Sequence, residues 1–227
     1  MIIEILIWGL IIVGLLITLG AQAFISSCNK KYSAIRNISG LTGAQAARII
    51  LDRNGLQNVK VGSVSGYLTD HYDPRTKVVN LSENNYSEAS IAGVAVACHE
   101  CGHAIQDKNG YTFLKIRRSL VPVVNLCTYA GYAAIIIGGI LGSLGLIWLG
   151  IGAEFVILFF QLVTLPVEFN ASKRGLQQLR ETNLLNSDEI KGGKKMLTSA
   201  ALTYVASVAT TIMQIIRLIL IYGRRER

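Results

Sequence analysis

Residues 98–103 read Cys-His-Glu-Cys-Gly-His and contain the pattern His99-Glu100-x-x-His103. If this stretch is helical, each residue turns about 100° around the axis, so side chains four positions apart lie nearly above one another. His99 and His103 can then direct two imidazoles at one metal ion. Glu100 lies beside them and can reach a water on that ion as a general base. The pattern therefore predicts a helix that carries part of a metal centre.

An ordinary structural role for both histidines is the alternative. The segment before them, residues 90–98, is small and apolar. A glutamate and two histidines that follow such a segment would be costly to bury without partners, and a metal ion would supply those partners. The chain has three histidines, and two of them fall in this pattern. A chance match to the pattern is rarer in a chain with so few histidines, so the metal interpretation is favoured.

The composition indicates a membrane protein. Of 227 residues, 51% are hydrophobic and 16% are charged, and the apolar residues are concentrated in blocks long enough to cross a bilayer. The net charge is +8, but the basic residues flank those blocks, as expected of membrane-orienting charges and not of a nucleic-acid surface. The four cysteines do not form the pattern of a secreted disulfide framework. We expect the lipid bilayer, and no nucleic acid, as a partner.

We predict an α-helical polytopic membrane protein with a small α+β core. Lys30, Lys31 and Arg36 follow the first apolar block, so the positive-inside rule places the chain after that block in the cytoplasm. The five predicted parts are a transmembrane helix (1–25), a cytoplasmic α/β catalytic part with the His-Glu helix (26–118), a transmembrane hairpin (119–166), a helix that bears Glu168 (167–196), and a fourth apolar helix with a basic tail (197–227).

The fourth apolar block has two interpretations. It is followed by Arg224, Arg225 and Arg227. If the block crosses the membrane, these arginines end outside, against the usual bias. The block is therefore either a crossing or a segment that is partly re-entrant or lies along the interface.

The cytoplasmic part contains helix and strand signals. An amphipathic helix is predicted over 41–55, with capping-box spacing at Thr42 and Gln45. A small sheet follows, and the helix with the His-Glu pair is expected to begin at Ser87. The β-prone runs of the sheet are 59–61, 66–68 and 77–81.

Two further ionisable residues have open roles. His71 lies in a turn before Pro74, where it either bonds nearby backbone or donates to the substrate or to the charge of a transition state. Glu154 lies within the third apolar block, where an ionisable group is a functional candidate by default. A structural pairing with another helix is the alternative for Glu154.

A third ligand is needed, because a catalytic zinc site generally has three protein ligands and an open position for water. His71 and the carboxylates are the remaining candidates. Two predicted crossings separate Glu168 from the histidine pair, so Glu168 lies on the same side of the membrane as that pair. Ala171 and Gly175 share its helical face, and small residues there would let this helix approach the histidine helix closely. A solvated carboxylate at the interface is the alternative for Glu168.

The chain resembles the bacterial YugP-type neutral zinc metallopeptidases, which are membrane proteins of the gluzincin group. The resemblance implies Zn²⁺ as the cofactor, with His99, His103 and Glu168 as its ligands and Glu100 as the catalytic base. It covers nearly the whole chain. It rests on Leu-Thr-Asp-His-Tyr-Asp-Pro-Arg at 68–75, Ala-Cys-His-Glu-Cys-Gly-His-Ala-Ile-Gln at 97–106 and Leu-Pro-Val-Glu-Phe-Asn-Ala-Ser at 165–172.

The resemblance also implies how a substrate binds, and it contains one departure. The sheet edge near 77–81 is expected to hold an extended substrate as an added strand. Many gluzincins carry an aspartate four residues after the ligand glutamate, where it supports a zinc histidine. Ser172 occupies that position here, and it is a shorter, uncharged group.

We therefore predict a multi-pass zinc metalloendopeptidase of the cell membrane whose site faces the cytoplasm. Its expected substrates are membrane or juxtamembrane proteins, cleaved by a zinc-activated water. One alternative is a non-catalytic membrane scaffold with a structural zinc site. The spacing of Cys98 and Cys101 suggests another, a thiolate metal site or redox pair. Helix geometry disfavours the latter, because Cys101 lies about 200° around the axis from His99.

Overall fold

The protein is mostly helical and contains one small sheet. The computed structural model describes residues 2–223, so the basic tail predicted at Arg224, Arg225 and Arg227 lies outside the described residues. Within the described part, the elements in chain order are α1 (Ile2–Ser33), α2 (Gly43–Arg53), β1 (Lys60–Val64), β2 (His71–Asp73), β3 (Val78–Ser82), α3 (Glu83–Ser87), α4 (Ile91–Lys108), α5 (Thr112–Leu141), α6 (Leu144–Thr182) and α7 (Ser187–Tyr222).

Among the described residues, four helices are long and apolar enough to cross a membrane, namely α1, α5, α6 and α7. This confirms the four apolar helices expected from the sequence. The first extends beyond residue 25 and ends at Ser33. The fourth, α7, is one unbroken helix of 36 residues. The small sheet expected between the helices is also present, and it has three strands. The β-prone run predicted at 66–68 is not one of them, because β2 comprises His71–Asp73 instead.

Helix α6 corrects the prediction of one separate helix over 167–196. Residues up to Thr182 continue α6, and Pro166 lies inside it. Proline removes one backbone donor but does not end every helix, since neighbouring groups can satisfy the carbonyl that it leaves free. The break comes instead at Asn183, whose φ of 52° is left-handed. Asparagine tolerates this conformation better than most residues, and α7 begins soon afterwards.

The chain forms two compact units. The first, which we call the helical unit, comprises Met1–Gln22, Lys115–Leu165 and Leu202–Arg227. The second, which we call the mixed unit, comprises Ala23–Leu114 and Pro166–Ala201. The mixed unit contains all three strands and the predicted metal-binding residues.

In the helical unit, small residues and one polar cluster join the helices. A Cβ placed on Gly131 of α5 would lie 2.6 Å from the Cβ of Ala153 on α6, so these helices cross closely. Glu154 is 4% exposed. Its carboxylate is hydrogen-bonded to Tyr132 and interacts electrostatically with the guanidinium of Arg217. These partners favour the structural interpretation of Glu154.

In the mixed unit, the strand order is β1-β3-β2, with β1 parallel and β2 antiparallel to β3. The expectation that residues 77–81 form the sheet edge is therefore wrong. β3 is central, because Val78 pairs with Lys60 on one side and with Asp73 on the other. The segment between β1 and β3 contains β2, and it is long enough for β2 to pair with the other side of β3. The two edges of the sheet are thus β1 and β2.

Helices α2 and α4 form much of the buried core of the mixed unit. The capping box predicted for α2 is confirmed, because Thr42 Oγ1 accepts from the backbone of Gln45 and the Gln45 side chain accepts from the backbone of Thr42. The expected start of α4 at Ser87 is wrong. Ser87 ends the separate helix α3, and Glu88 is extended. Ser90 then caps α4 by accepting from the backbone of Gly93 at 3.0 Å, as N-cap serines do.

Candidate metal centre

Helix α4 carries the histidine pair and packs against α6 at two glycines. A Cβ placed on Gly102 would lie 2.5 Å from the carbonyl oxygen of Ala171, and one on Gly175 would lie 2.9 Å from the carbonyl oxygen of Cys98. Only glycine permits such an approach of two backbones. The prediction that small residues allow this close packing is confirmed. The contact lies directly beside Glu168, which is 2% exposed.

Three predicted ligands meet at this contact. Glu168 Oε2 lies 3.4 Å from His99 Nε2 and 3.6 Å from His103 Nε2. The ligand atoms of the three side chains all lie within 4.8 Å of one another. The two imidazoles are nearly perpendicular, with ring centroids 4.8 Å apart. Residues far apart in the sequence therefore present two nitrogens and one carboxylate to a common point.

The other ring nitrogen of each histidine contacts an oxygen. His99 Nδ1 lies 3.1 Å from Ser172 Oγ, and His103 Nδ1 lies 3.0 Å from Gln106 Oε1. A zinc-bound histidine characteristically donates its second N–H to such an oxygen, which fixes the tautomer and the ring orientation. Ser172, four residues after Glu168, thus places a hydroxyl oxygen beside His99.

This donor set fits zinc. Two imidazole nitrogens and one carboxylate oxygen are the ligands of a common type of catalytic zinc site, which leaves a fourth position for water. Because the Nδ1 atoms face Ser172 and Gln106, the Nε2 atoms are the ring nitrogens that face Glu168 and could bind an ion. Because the site offers three protein ligands, it resembles an open catalytic site more than a closed structural site with four.

Glu100 is buried next to the ligand cluster, with 6% of its surface exposed. Burial raises the pKa of its carboxyl to about 7, the charge of His99 opposes this shift, and Glu168 and Asp70 add to it. The backbone N–H of Tyr72 donates to the carboxylate. A carboxyl group with a pKa near 7 can both accept and release a proton near neutral pH.

Asp70 and His71, which precede Tyr72, are held by other partners. The Asp70 carboxylate accepts from the backbone of Ser82 at 2.8 Å and from the Asn85 amide at 3.0 Å. His71 Nδ1 donates to the carbonyl oxygen of Thr69 at 2.8 Å. The amide of Asn80 lies 3.2 Å from His71 Nε2. His71 is not part of the metal-binding group. It lies in strand β2 and not in the predicted turn, but its bond to the Thr69 carbonyl agrees with the interpretation that it bonds nearby backbone.

The cysteines next to the histidine pair are buried free thiols. Burial raises the pKa of the Cys98 thiol well above its usual range, and it raises the pKa of Cys101 as well. Cys101 Sγ donates to the carbonyl oxygen of Ala47 on α2 at 3.6 Å. A thiol with a raised pKa is a poor thiolate ligand. The thiol of Cys101 also points toward α2. The geometry does not favour the thiolate or redox hypothesis.

Gln106 and Asn170 contribute to the site, and neither was predicted to do so from the sequence. Gln106 contacts His103, and its amide donates to Asn170 Oδ1 at 3.0 Å. A signal was available, because a residue three positions after a ligand lies on the same helical face. Asn170 could not be identified in this way, since its partner lies on a different helix.

Comparison with known proteins agrees with this geometry. Residues 7–223 match the family described as "Putative neutral zinc metallopeptidase". The chain is 45% identical over 208 residues to the "Putative membrane protease YugP" of Bacillus subtilis (strain 168). The aligned region covers 91% of this chain and 92% of that protein. No solved structure matches the chain. The membrane relative and the four apolar helices support a location in a membrane. Because the family match spans nearly the whole sequence, this chain belongs to the neutral zinc metallopeptidase family.

Proposed function

We propose that this protein is a membrane-bound zinc metalloendopeptidase of the gluzincin type. His99, His103 and Glu168 would hold the zinc ion, and Glu100 would act as the catalytic base. The observation that carries the proposal is the meeting of Glu168 with both Nε2 atoms, at 3.4 and 3.6 Å. Family membership supports the metal and the reaction class.

The chain's own residues would divide the chemistry between them. When bound, zinc polarises the scissile carbonyl and lowers the pKa of a water to about 7. Glu100, adjacent to the ligands, accepts the proton of the attacking water and later passes it to the leaving amine. Glu168 supplies the negative charge among the ligands. Ser172 and Gln106 orient the two imidazoles through their Nδ1 atoms.

The edge of strand β2 is the best-supported place for an extended substrate. β2 is an edge strand, and the backbone N–H of its central residue, Tyr72, donates to Glu100. A peptide that pairs with an edge strand gains backbone hydrogen bonds and is held straight. A peptide on this edge would therefore pass the proposed base. The prediction of substrate addition is kept, but it moves from residues 77–81 to β2.

Membrane or juxtamembrane proteins are the proposed substrates, with the site facing the cytoplasm. The four apolar helices would keep the enzyme in the membrane, where such segments are concentrated. Lys30, Lys31 and Arg36 after the first apolar block support the cytoplasmic orientation. The test compares cleavage of detergent-solubilised membrane proteins with cleavage of free peptides. A preference for soluble peptides would contradict the substrate proposal.

The decisive experiment combines metal analysis with a proteolysis assay on the detergent-solubilised full chain. We expect Glu100→Gln to retain zinc and the fold but to lose at least about 10²-fold in cleavage rate, because the proton acceptor is removed. Glu181→Gln is the matched control, since Glu181 is an exposed carboxylate on α6, and it should cleave like wild type. If the protein is instead a non-catalytic scaffold with a structural zinc, neither wild type nor the variants would show zinc-dependent cleavage. Unchanged cleavage by Glu100→Gln would overturn the role of Glu100.

A further inference from the structure

Gln106 forms a fully satisfied hydrogen-bond junction between α4 and α6. Its side chain has no exposed surface. Its oxygen lies 3.0 Å from His103 Nδ1, and its amide nitrogen donates to the carbonyl oxygen of Val167 at 2.8 Å and to Asn170 Oδ1 at 3.0 Å. Every polar atom of a buried amide is thus occupied, which holds the side chain in one position.

The donors and acceptors in these hydrogen bonds can be assigned from the bond between Arg174 and Asn170. Arg174 Nε donates to Asn170 Oδ1 at 2.7 Å. Arginine has no acceptor atom, so the atom of Asn170 in this bond must be the oxygen. The Gln106 group that faces Asn170 Oδ1 and the Val167 carbonyl meets two acceptors and must therefore be the NH₂ group. The Gln106 oxygen is then left to face His103.

The position of the proton on His103 follows from these hydrogen bonds. Gln106 Oε1 can only accept, so His103 Nδ1 must carry the proton in the bond between them. In a neutral imidazole the other nitrogen then has the lone pair. That nitrogen is His103 Nε2, which faces Glu168 at 3.6 Å.

We propose that Gln106 is a positioning residue, oriented by Asn170 and Arg174, that fixes the His103 tautomer in which Nε2 is free to bind the metal. This inference rests on the proposed role of His103 as a ligand. It goes further because it assigns the orientation and tautomer of His103 to three hydrogen-bonded side chains, which are Gln106, Asn170 and Arg174. His99 is supported separately by Ser172.

The proposal distinguishes glutamine from glutamate at position 106. Carboxylates commonly support zinc histidines, so a simple supporting role would allow Gln106→Glu. Here the second carboxylate oxygen would face the Val167 carbonyl and Asn170 Oδ1, which both accept. An arrangement of three acceptors without a proton is repulsive and costly to bury. The carboxylate should therefore be displaced from His103.

The experiment measures zinc dissociation constants by chelator competition on the full chain in detergent. We expect Gln106→Glu and Gln106→Met to weaken zinc binding by roughly 10–100-fold, the usual effect of losing such a partner. Asn170→Asp should bind zinc more tightly than Asn170→Leu, because a carboxylate still accepts from both Arg174 and Gln106. Asn170→Leu should weaken binding like the Gln106 variants. Gln177→Met is the matched control, since Gln177 is an exposed glutamine on α6, and it should bind like wild type.

A second readout separates this inference from the proposed function. Nitrogen-15 NMR of metal-free wild type, at a pH at which His103 is neutral, should show the proton on Nδ1, and Gln106→Met should show a mixture of tautomers. A neutral His103 that carries its proton on Nε2 and not on Nδ1 would overturn the inference, as would wild-type zinc affinity in both Gln106 variants. If wild type binds no zinc, the proposed function fails, while the NMR result still decides on the tautomer. The Asn170 variants keep the test valid if a Gln106 variant does not fold.

Discussion

Gly102 on α4 and Ala171 on α6 lie backbone against backbone, so a Cβ on Gly102 would lie 2.5 Å from the carbonyl oxygen of Ala171. Real Cβ atoms essentially never come so close to another heavy atom. The absence of a side chain at residue 102 lets α6 come near enough for Glu168 to face the histidine pair. The proposed third ligand therefore depends on a glycine that binds nothing itself.

Gly102→Ala should push the two helices apart. The opposing atom belongs to the backbone, so it cannot rotate away, and overpacking of this kind typically costs about 1–3 kcal/mol. We expect a lower free energy of unfolding of the metal-free protein and a weaker affinity for zinc. Denaturant unfolding and chelator competition measure these two quantities.

Gly152→Ala is the control for this variant. Gly152 lies on α6, and a Cβ there would have no atom within 4 Å. Alanine is the better helix former by about 1 kcal/mol, so this variant should be as stable as wild type or more stable. If Gly102→Ala behaves like Gly152→Ala in both measurements, the close contact does not hold the site together.

Removing Glu168 should abolish tight zinc binding. Glu168→Ala leaves two imidazoles and no charged ligand. His99→Ala and His103→Ala keep the carboxylate but also leave only two of the three ligands. We expect wild type to hold about one zinc per chain and each variant to lose it on dialysis. Glu181→Ala, an exposed carboxylate on the same helix as Glu168, should retain the metal. Unchanged zinc stoichiometry in all three single variants would refute the ligand set.

Ser172 should contribute to zinc affinity through His99. Ser172→Ala removes the oxygen that lies 3.1 Å from His99 Nδ1, and we expect about a 10-fold weaker zinc affinity, at the lower end of the range for such partners. Ser172→Asp restores an acceptor and should bind zinc at least as tightly as wild type. Lys173→Ala, an exposed neighbour, is the control. Equal affinities in the alanine and wild-type proteins would show that His99 is oriented by other contacts.

Zinc removal should not change the reactivity of Cys98 and Cys101. Both thiols are buried, and Cys101 is bonded toward α2 rather than toward the ligand cluster. Their labelling rates with a thiol reagent should be slow with and without a chelator, and they should rise only on unfolding. Protection of both cysteines that depends on zinc would instead support the thiolate hypothesis.

The local parts of the site were predictable from the sequence. His99, Glu100 and His103 belong to one helix, so the helical period alone sets their relative directions. Glu168 required a second argument, from the number of crossings between it and the pair. The four apolar helices were predictable because their composition differs so strongly from that of the rest of the chain.

Other features depend on contacts that sequence patterns do not contain. The central position of β3 is set by pairing with strands on both sides, whereas each strand alone has only a β-prone composition. The separate helix predicted over 167–196 does not exist, because α6 continues through Pro166 to Thr182. The junction at Gln106 joins residues on two helices, so nothing near residue 106 in the sequence identifies its partners.

Helix α6 brings the proposed third ligand late in the chain, after the whole of α5. A nascent polypeptide that has been synthesised only to the end of α5 contains both histidines and Glu100 but lacks Glu168. With Glu168 as a ligand, such a chain cannot retain its metal. Under the proposed function, the catalytic site would therefore stay incomplete during biosynthesis until α6 has been translated through residue 168.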